Sequence, residues 1–167
     1  MKIALKRPSG SVRHAGRTMS AVMALCMALL WPSLTWAAMP ITPLTIDTVD
    51  GRRLNFTAEL ALTPADHELG LMNRRTLAAN AAMLFDFGHD REIAMWMHNT
   101  LIPLDMLFLS REGVVKGIVH NATPMSDTVL PSPGPVRAVL EVQGGLTDKM
   151  KIQVGDRVLP IPSGLRN

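Results

Sequence analysis

Between Arg53 and Leu62 the chain alternates without a break. Leu54, Phe56, Ala58, Leu60 and Leu62 fall on one side, and Arg53, Asn55, Thr57 and Glu59 on the other. That period of two belongs to a strand with one buried face. A second strand is expected before it, over Leu44 to Asp50, with Asp50-Gly51 as the turn between them. After it, Thr63-Pro64 opens a short helix: Thr63 as the N-cap, Pro64 at the first helical position, Asp66 and Glu68 in the first turn. Gly70 can end that helix with a positive φ.

The second half reads as short strands separated by turns. Met83 to Phe87 alternates, with Met83, Phe85 and Phe87 together. Ile93 to Met97 and Leu104 to Leu109 are almost wholly apolar, as interior strands are. Arg111-Glu112-Gly113 turns into Val114 to Val119, and a loop with four prolines fills Pro124 to Pro135. Val136 to Val142 alternates again, with Val136, Ala138, Leu140 and Val142 inward. Gly144-Gly145, a helical turn over Leu146 to Met150, and a last strand over Arg157 to Leu159 follow. The expected fold is mainly β: a compact jelly-roll-like β-sandwich or barrel with one or two short helices.

Residues 1–37 stand apart from this pattern. Lys2, Lys6, Arg7, Arg13 and Arg17 precede an apolar run from Met19 to Trp31, then Pro32 and Thr35-Trp36-Ala37. This is the layout of a secretory signal peptide cleaved after Ala37. The run is short for a membrane span, which needs about 20 residues. The expected organisation is a leader at 1–37, a flexible Pro-rich lead-in at 38–43 and one β domain over 44–167, periplasmic or secreted, with no stable membrane anchoring after cleavage.

The leader changes the charge argument. The chain has 17 basic and 14 acidic residues, and 1–37 holds five of the basic and none of the acidic. Residues 38–167 therefore carry 12 basic against 14 acidic, a net of −2. The charge balance argues against nucleic acid as a partner. Cys26 is the only cysteine and lies in the leader, which excludes disulfide scaffolds and thiol catalysis for the rest. A monomer without a cofactor is expected.

Chemistry-bearing side chains concentrate between Met95 and Asp105, the segment Met-Trp-Met-His-Asn-Thr-Leu-Ile-Pro-Leu-Asp. Asp105 opens an apolar strand and needs a partner there. Arg74 is the expected one, either as a structural bridge or as part of a pocket for an anionic group. Asn99 and Thr100 suit a turn, or a pocket mouth. Trp96 is the only tryptophan after residue 37, and suits core packing or a stacking wall. His98 with Met95 and Met97 offers a Cu(I) or Ag(I) set, to which Met72, Met83, Met106 and Met125 could add sulfur. On one strand, however, Met95 and Met97 share a face while Trp96 and His98 share the other.

Catalytic signatures are few. Ser110, Ser126 and Ser132 have no triad context, and His67, His89, His98 and His120 lack zinc-type spacing. Asp105 and Glu141 could serve acid–base chemistry if they converge. Glu141, opposite its strand's apolar face, is expected at the surface or lining solvent.

Taken in order, Gly70-Leu71-Met72-Asn73-Arg74, Met83-Leu84-Phe85, Trp96-Met97-His98-Asn99-Thr100, Ile102-Pro103-Leu104-Asp105, Leu140-Glu141 with Gly144 or Gly145, and Gly155-Asp156 resemble domain-of-unknown-function family 192. The resemblance spans Leu54 to Val158. It implies a compact, mainly β, jelly-roll-like domain, often behind a signal peptide, and no established activity. It departs at Ala82, where the family has Gly, and at His98, where it has Lys. The role expected from the sequence is an exported ligand- or partner-binding module of the cell envelope. Its partner would be a small molecule or an envelope protein, held around Arg74, Trp96, His98, Asn99, Thr100 and Asp105.

Overall fold

The computed structural model describes residues 38–161. The leader expected at 1–37, its cleavage site and Cys26 lie outside the described residues. The described chain is mainly β. Its elements are β1 (Ile41–Asp47), β2 (Arg53–Ala61), α1 (Pro64–Leu69), β3 (Ala81–Arg91), β4 (Ala94–Met95), β5 (Leu104–Leu109), β6 (Val115–Ala122), β7 (Leu130–Pro131), β8 (Val136–Gln143), α2 (Leu146–Met150) and β9 (Arg157–Leu159). Neither helix is long enough to cross a membrane.

Seven strands form one curled sheet, a half-barrel, in the order β6-β5-β8-β3-β2-β1-β9; β4 and β7 pair separately. Neighbours are antiparallel except β2 and β3, which are parallel and connected through α1. The helix starts where the sequence says. The Thr63 hydroxyl accepts from the Asp66 amide while the Asp66 carboxylate accepts from the Thr63 amide, a reciprocal cap that satisfies two free donors. Gly70 closes it at φ 46°.

The central strands β3, β5 and β8 are buried on both faces along most of their length, which separates two cores. On the inner face Leu44, Ile46, Phe56, Leu84, Leu107, Leu140 and Val142 pack with Leu146 of α2 and Val158 of β9. On the outer face Met83, Phe85, Met106, Phe108 and Val139 pack with Leu71, Ile93 and Met97. This outer layer, built from α1, the segment after it and the small β4–β7 sheet, is what the alternation alone does not disclose.

Three expectations change. The lead-in is ordered from Ile41, where β1 pairs Ile41 to Pro43 with Glu59 to Thr57. Pro43 is tolerated because β9 pairs only with Thr45 to Asp47, leaving the start of β1 at an edge where a missing N–H costs nothing. Ile93 to Met97 is not an interior strand. Only Ala94 and Met95 pair, and the run ends in a turn at Asn99, which adopts φ 51°. Finally, β3 and β8 are buried on both faces rather than one.

The two outer strands of the sheet meet at one end. Val114 bridges Arg157, the Val115 amide donates to the Asp156 carbonyl at 2.8 Å, and the Val158 amide to the Gly113 carbonyl at 2.8 Å. Gly113 makes this seam possible. It sits at φ 78°, and a Cβ there would lie 2.1 Å from the Val158 carbonyl oxygen. Gly113→Ala is therefore expected to lower the stability of the protein by about 2–4 kcal/mol through backbone strain and loss of the seam. Urea denaturation measures this; a loss below about 0.5 kcal/mol would show that the seam bears no strain.

Candidate functional site

A cleft of about 240 Å³ opens on the outer face of the sheet. Its walls are the end of α1 and the residues after it (His67 to Met72), Phe85 and Phe87 of β3, Ala94 and Met95 of β4, Trp96 and Thr100; Glu141 of β8 reaches it from the sheet. Each wall has a local cause. The helix stops at Gly70, so Leu71 turns into the core while Met72 stays half-buried beside it. Alternation along β3 puts Phe85 and Phe87 on the same side as Met83. The imidazole of His67 lies 4.6 Å from the Phe87 ring, and its Nε2 is 3.0 Å from the Ala61 carbonyl oxygen, which fixes it against the sheet.

Glu141 is the unusual member. It lies directly opposite Met83 on one side and Met106 on the other, both fully buried. Its own exposure is 4%. Among the described residues it has no hydrogen-bonding or charged partner, yet no side-chain polar atom there is sealed away unsatisfied, so the carboxyl meets the cleft. Burial pushes its pKa up to about 8. Of the two places expected for Glu141, the open surface is overturned and the lining of a cleft remains. The residue does point away from the inner core, but a second layer covers that side.

Asp105 is elsewhere. Its register partner is Val142, so it sits on the inner face while Glu141 sits on the outer one. The two carboxylates do not converge, and no acid–base pair is built from them. Asp105 is fully buried and accepts from the amides of Asn121 (2.7 Å), Gly145 (2.8 Å) and Thr147 (2.8 Å), and from the Thr147 hydroxyl (2.7 Å). Desolvation pushes its pKa up, but these donors outweigh it and hold the carboxyl below its ordinary value.

Arg74 does not reach Asp105 either. It grips Glu59 of β2 bidentately, with Nη2 to Oε2 at 2.7 Å, because the parallel pairing of β2 with β3 brings the chain after α1 back over β2. The bond from Arg74 lowers the pKa of Glu59. A guanidinium so occupied is a structural clamp, and it is not part of the cleft wall.

The remaining candidates lie at or near the rim. Trp96 is not core: it is 54% exposed, lines the cleft, and packs its ring 5.4 Å from that of His98. Nδ1 of His98 is 2.7 Å from Asp127. Met97 is buried in the outer core while Met95 lines the cleft. Trp96 and His98 thus stand together, with Met97 turned inward, and His98, Met95 and Met97 do not gather as one ligand set. Among the described residues no group of three or more His, Cys, Asp or Glu is placed to hold a metal ion. Asn99 and Thr100 form a turn. The Thr100 amide donates to the Met97 carbonyl at 3.0 Å, and the Asn99 carbonyl accepts from the Asn73 amide at 2.9 Å. Thr100 also lines the cleft.

Of the expected site residues, Trp96 and Thr100 meet at the cleft, joined by Glu141. His67, Phe85 and Phe87 are additions to the expected set, and Met72 and Met95, expected only as sulfur donors to a metal, line the cleft. The sequence carries little signal for Glu141: its side of the strand holds Arg137, Val139 and Glu141, and only Val139 there is apolar.

Comparison with known proteins follows the same lines. A family model described as Uncharacterized ACR, that of DUF192, matches residues 45–159. A crystal structure from Sinorhizobium meliloti 1021, described provisionally as a transcription regulator, superposes with a TM-score of 0.72 at 40% identity, covering 73% of this chain and 95% of that one. A protein of unknown function from Novosphingobium aromaticivorans DSM 12444 gives 0.70 at 39% identity, covering 74% of this chain and 88% of that one. Among curated proteins, none matches the chain.

Proposed function

The chain belongs to the DUF192 family, and on that premise we propose that it is a binding module of the cell envelope whose small ligand enters the cleft over Glu141. One observation carries this reading: a carboxyl group 4% exposed, without a partner among the described residues, meeting an aromatic-lined cleft. An unpaired buried carboxyl costs stability. A group kept at that cost, in a concave apolar site, is the usual mark of a binding surface. The leader-like residues 1–37 support an exported location. The regulator description of the Sinorhizobium protein is not carried over, because 12 basic against 14 acidic residues in 38–167 give nucleic-acid binding no support.

The cleft is small, so the ligand is metabolite-sized, with its apolar body against Phe85, Phe87 and Trp96 and one polar group toward Glu141. Benzyl alcohol is a suitable neutral probe. It is expected to shift the amide resonances of residues 69–72, 85–87 and 94–96 in a two-dimensional NMR titration. Ala94→Phe is expected to weaken these shifts at least tenfold, because Ala94 is exposed on the wall and a ring there fills the opening without entering the core. A titration that leaves those resonances unmoved would remove the cleft as a binding site.

A further inference from the structure

We propose that the ligand is a small primary amine with an apolar or aromatic body, its ammonium seated on Glu141 and its body against Phe85, Phe87 and Trp96. This rests on the cleft being the binding site and adds the chemical class of what binds there.

The charges around the cleft select the class. Its lining contains two carboxyl residues, Glu68 at the rim and Glu141 inside, and His67, but neither lysine nor arginine. An anion would meet repulsion with no lysine or arginine in the lining to offset it. The cations nearby are already engaged: Arg74 is held by Glu59, and Arg91 lies over the Phe87 ring, 4.9 Å from its centroid and outside the lining. The Nε2 edge of His67 faces the Ala61 carbonyl oxygen. No cation among the described residues reaches Glu141, so a positive partner for it comes from outside.

The neutral walls favour the same ligand. A cation against aromatic faces in a desolvated site gains from the ring quadrupoles. A primary ammonium has three donors, enough for both carboxylate oxygens and one more acceptor, such as the Thr100 hydroxyl, since Thr100 also lines the cleft. A neutral alcohol or amide makes one hydrogen bond to the same carboxyl and leaves the rest of its capacity unused. Burial alone pushes Glu141 up to about 8, so ionising it to receive the ammonium costs only about tenfold in affinity at pH 7 and little at pH 8.

Benzylamine and benzyl alcohol share a ring and differ in the polar group, so the pair separates the ligand class from the cleft itself. NMR titrations at pH 8 of the protein and of Glu141→Gln measure both. Benzylamine is expected to bind about tenfold or more tightly than benzyl alcohol, with the same resonances moving, and to lose that advantage in Glu141→Gln. If benzyl alcohol binds as well as benzylamine, the amine is overturned and the cleft stands. If the amine preference survives in Glu141→Gln, Glu141 is not its seat and the proposal fails. If neither probe moves the lining, the proposal and the binding site fall together.

Discussion

Glu141→Gln makes the protein more stable, by about 3 kcal/mol at neutral pH. The expectation follows from burial. In the folded protein the carboxyl titrates at about 8, pushed up by desolvation, while in the unfolded chain it titrates near its ordinary value of 4.5. Between these two values the folded state holds a proton that the unfolded state has released. Stability therefore falls as pH rises from about 4.5, at up to about 1.4 kcal/mol per pH unit, and the loss is complete above about 8. Glutamine has nearly the same shape and cannot ionise. The difference between variant and parent should vanish at pH 4.5, grow through neutrality and level off above pH 8. Urea unfolding at four pH values gives the curve. A difference independent of pH would mean that Glu141 is not buried as described. Stabilisation by removing a residue's charge is characteristic of positions kept for function rather than for folding.

Asp105→Ala is expected to have the opposite effect, a loss of about 3–5 kcal/mol. Three backbone amides and a threonine hydroxyl converge on this one carboxylate. Together they join β5 to the end of β6 and cap α2, whose preceding residue Gly145 supplies no side chain to do so. Removing the carboxylate takes the acceptor from four donors, of which the amide and hydroxyl of Thr147 are buried. Asp105→Asn, which keeps one acceptor oxygen, should lose about half as much. The folded pKa lies below the ordinary value, so this contribution is fully present above about pH 4 and disappears as pH falls through the folded pKa. Asp105 shares the acid limb with other carboxylates held below their ordinary pKa, Glu59 among them, so its share is the acid-side difference between parent and Asp105→Ala. A loss under 1 kcal/mol in Asp105→Ala, with the midpoint and slope of urea unfolding otherwise unchanged, would refute the assignment.

What the sequence disclosed follows from how much of each pattern is local. The run from Arg53 to Leu62 has one dry face and one wet face, so its period reads directly as β2. The cap at Thr63 and Asp66 needs only four residues, and α1 is where they place it. Strands β5 and β8 are also legible as strands, but a strand dry on both sides does not say which layer its odd residues meet. Glu141 was therefore assigned to solvent, because nothing within ten residues announces that α1 and the β4–β7 pair lie over it. Arg74 was matched to Asp105 on chemical grounds. Its actual partner, Glu59, is set by the parallel β2–β3 pairing, a property of topology rather than of spacing. For Trp96 the sequence leaves core packing and a stacking wall both open, because ring size suits either. The turn at Asn99 ends the apolar run and leaves the ring at the rim, where the candidate site begins.

The pairing of β1 with β9 places Thr45 beside Leu159, 114 residues later. The opening and closing words of the domain are thus read against each other, and its fold is timed by its last syllables. While the chain is being synthesised, β1 can pair with β2 but has a bare second edge until residue 159 has emerged. The start of β6 waits for the same strand. A product terminated before Arg157 would present two unmatched edges at once, each a template for another chain. The arrival of Arg157 to Leu159 is then the event that withdraws those edges.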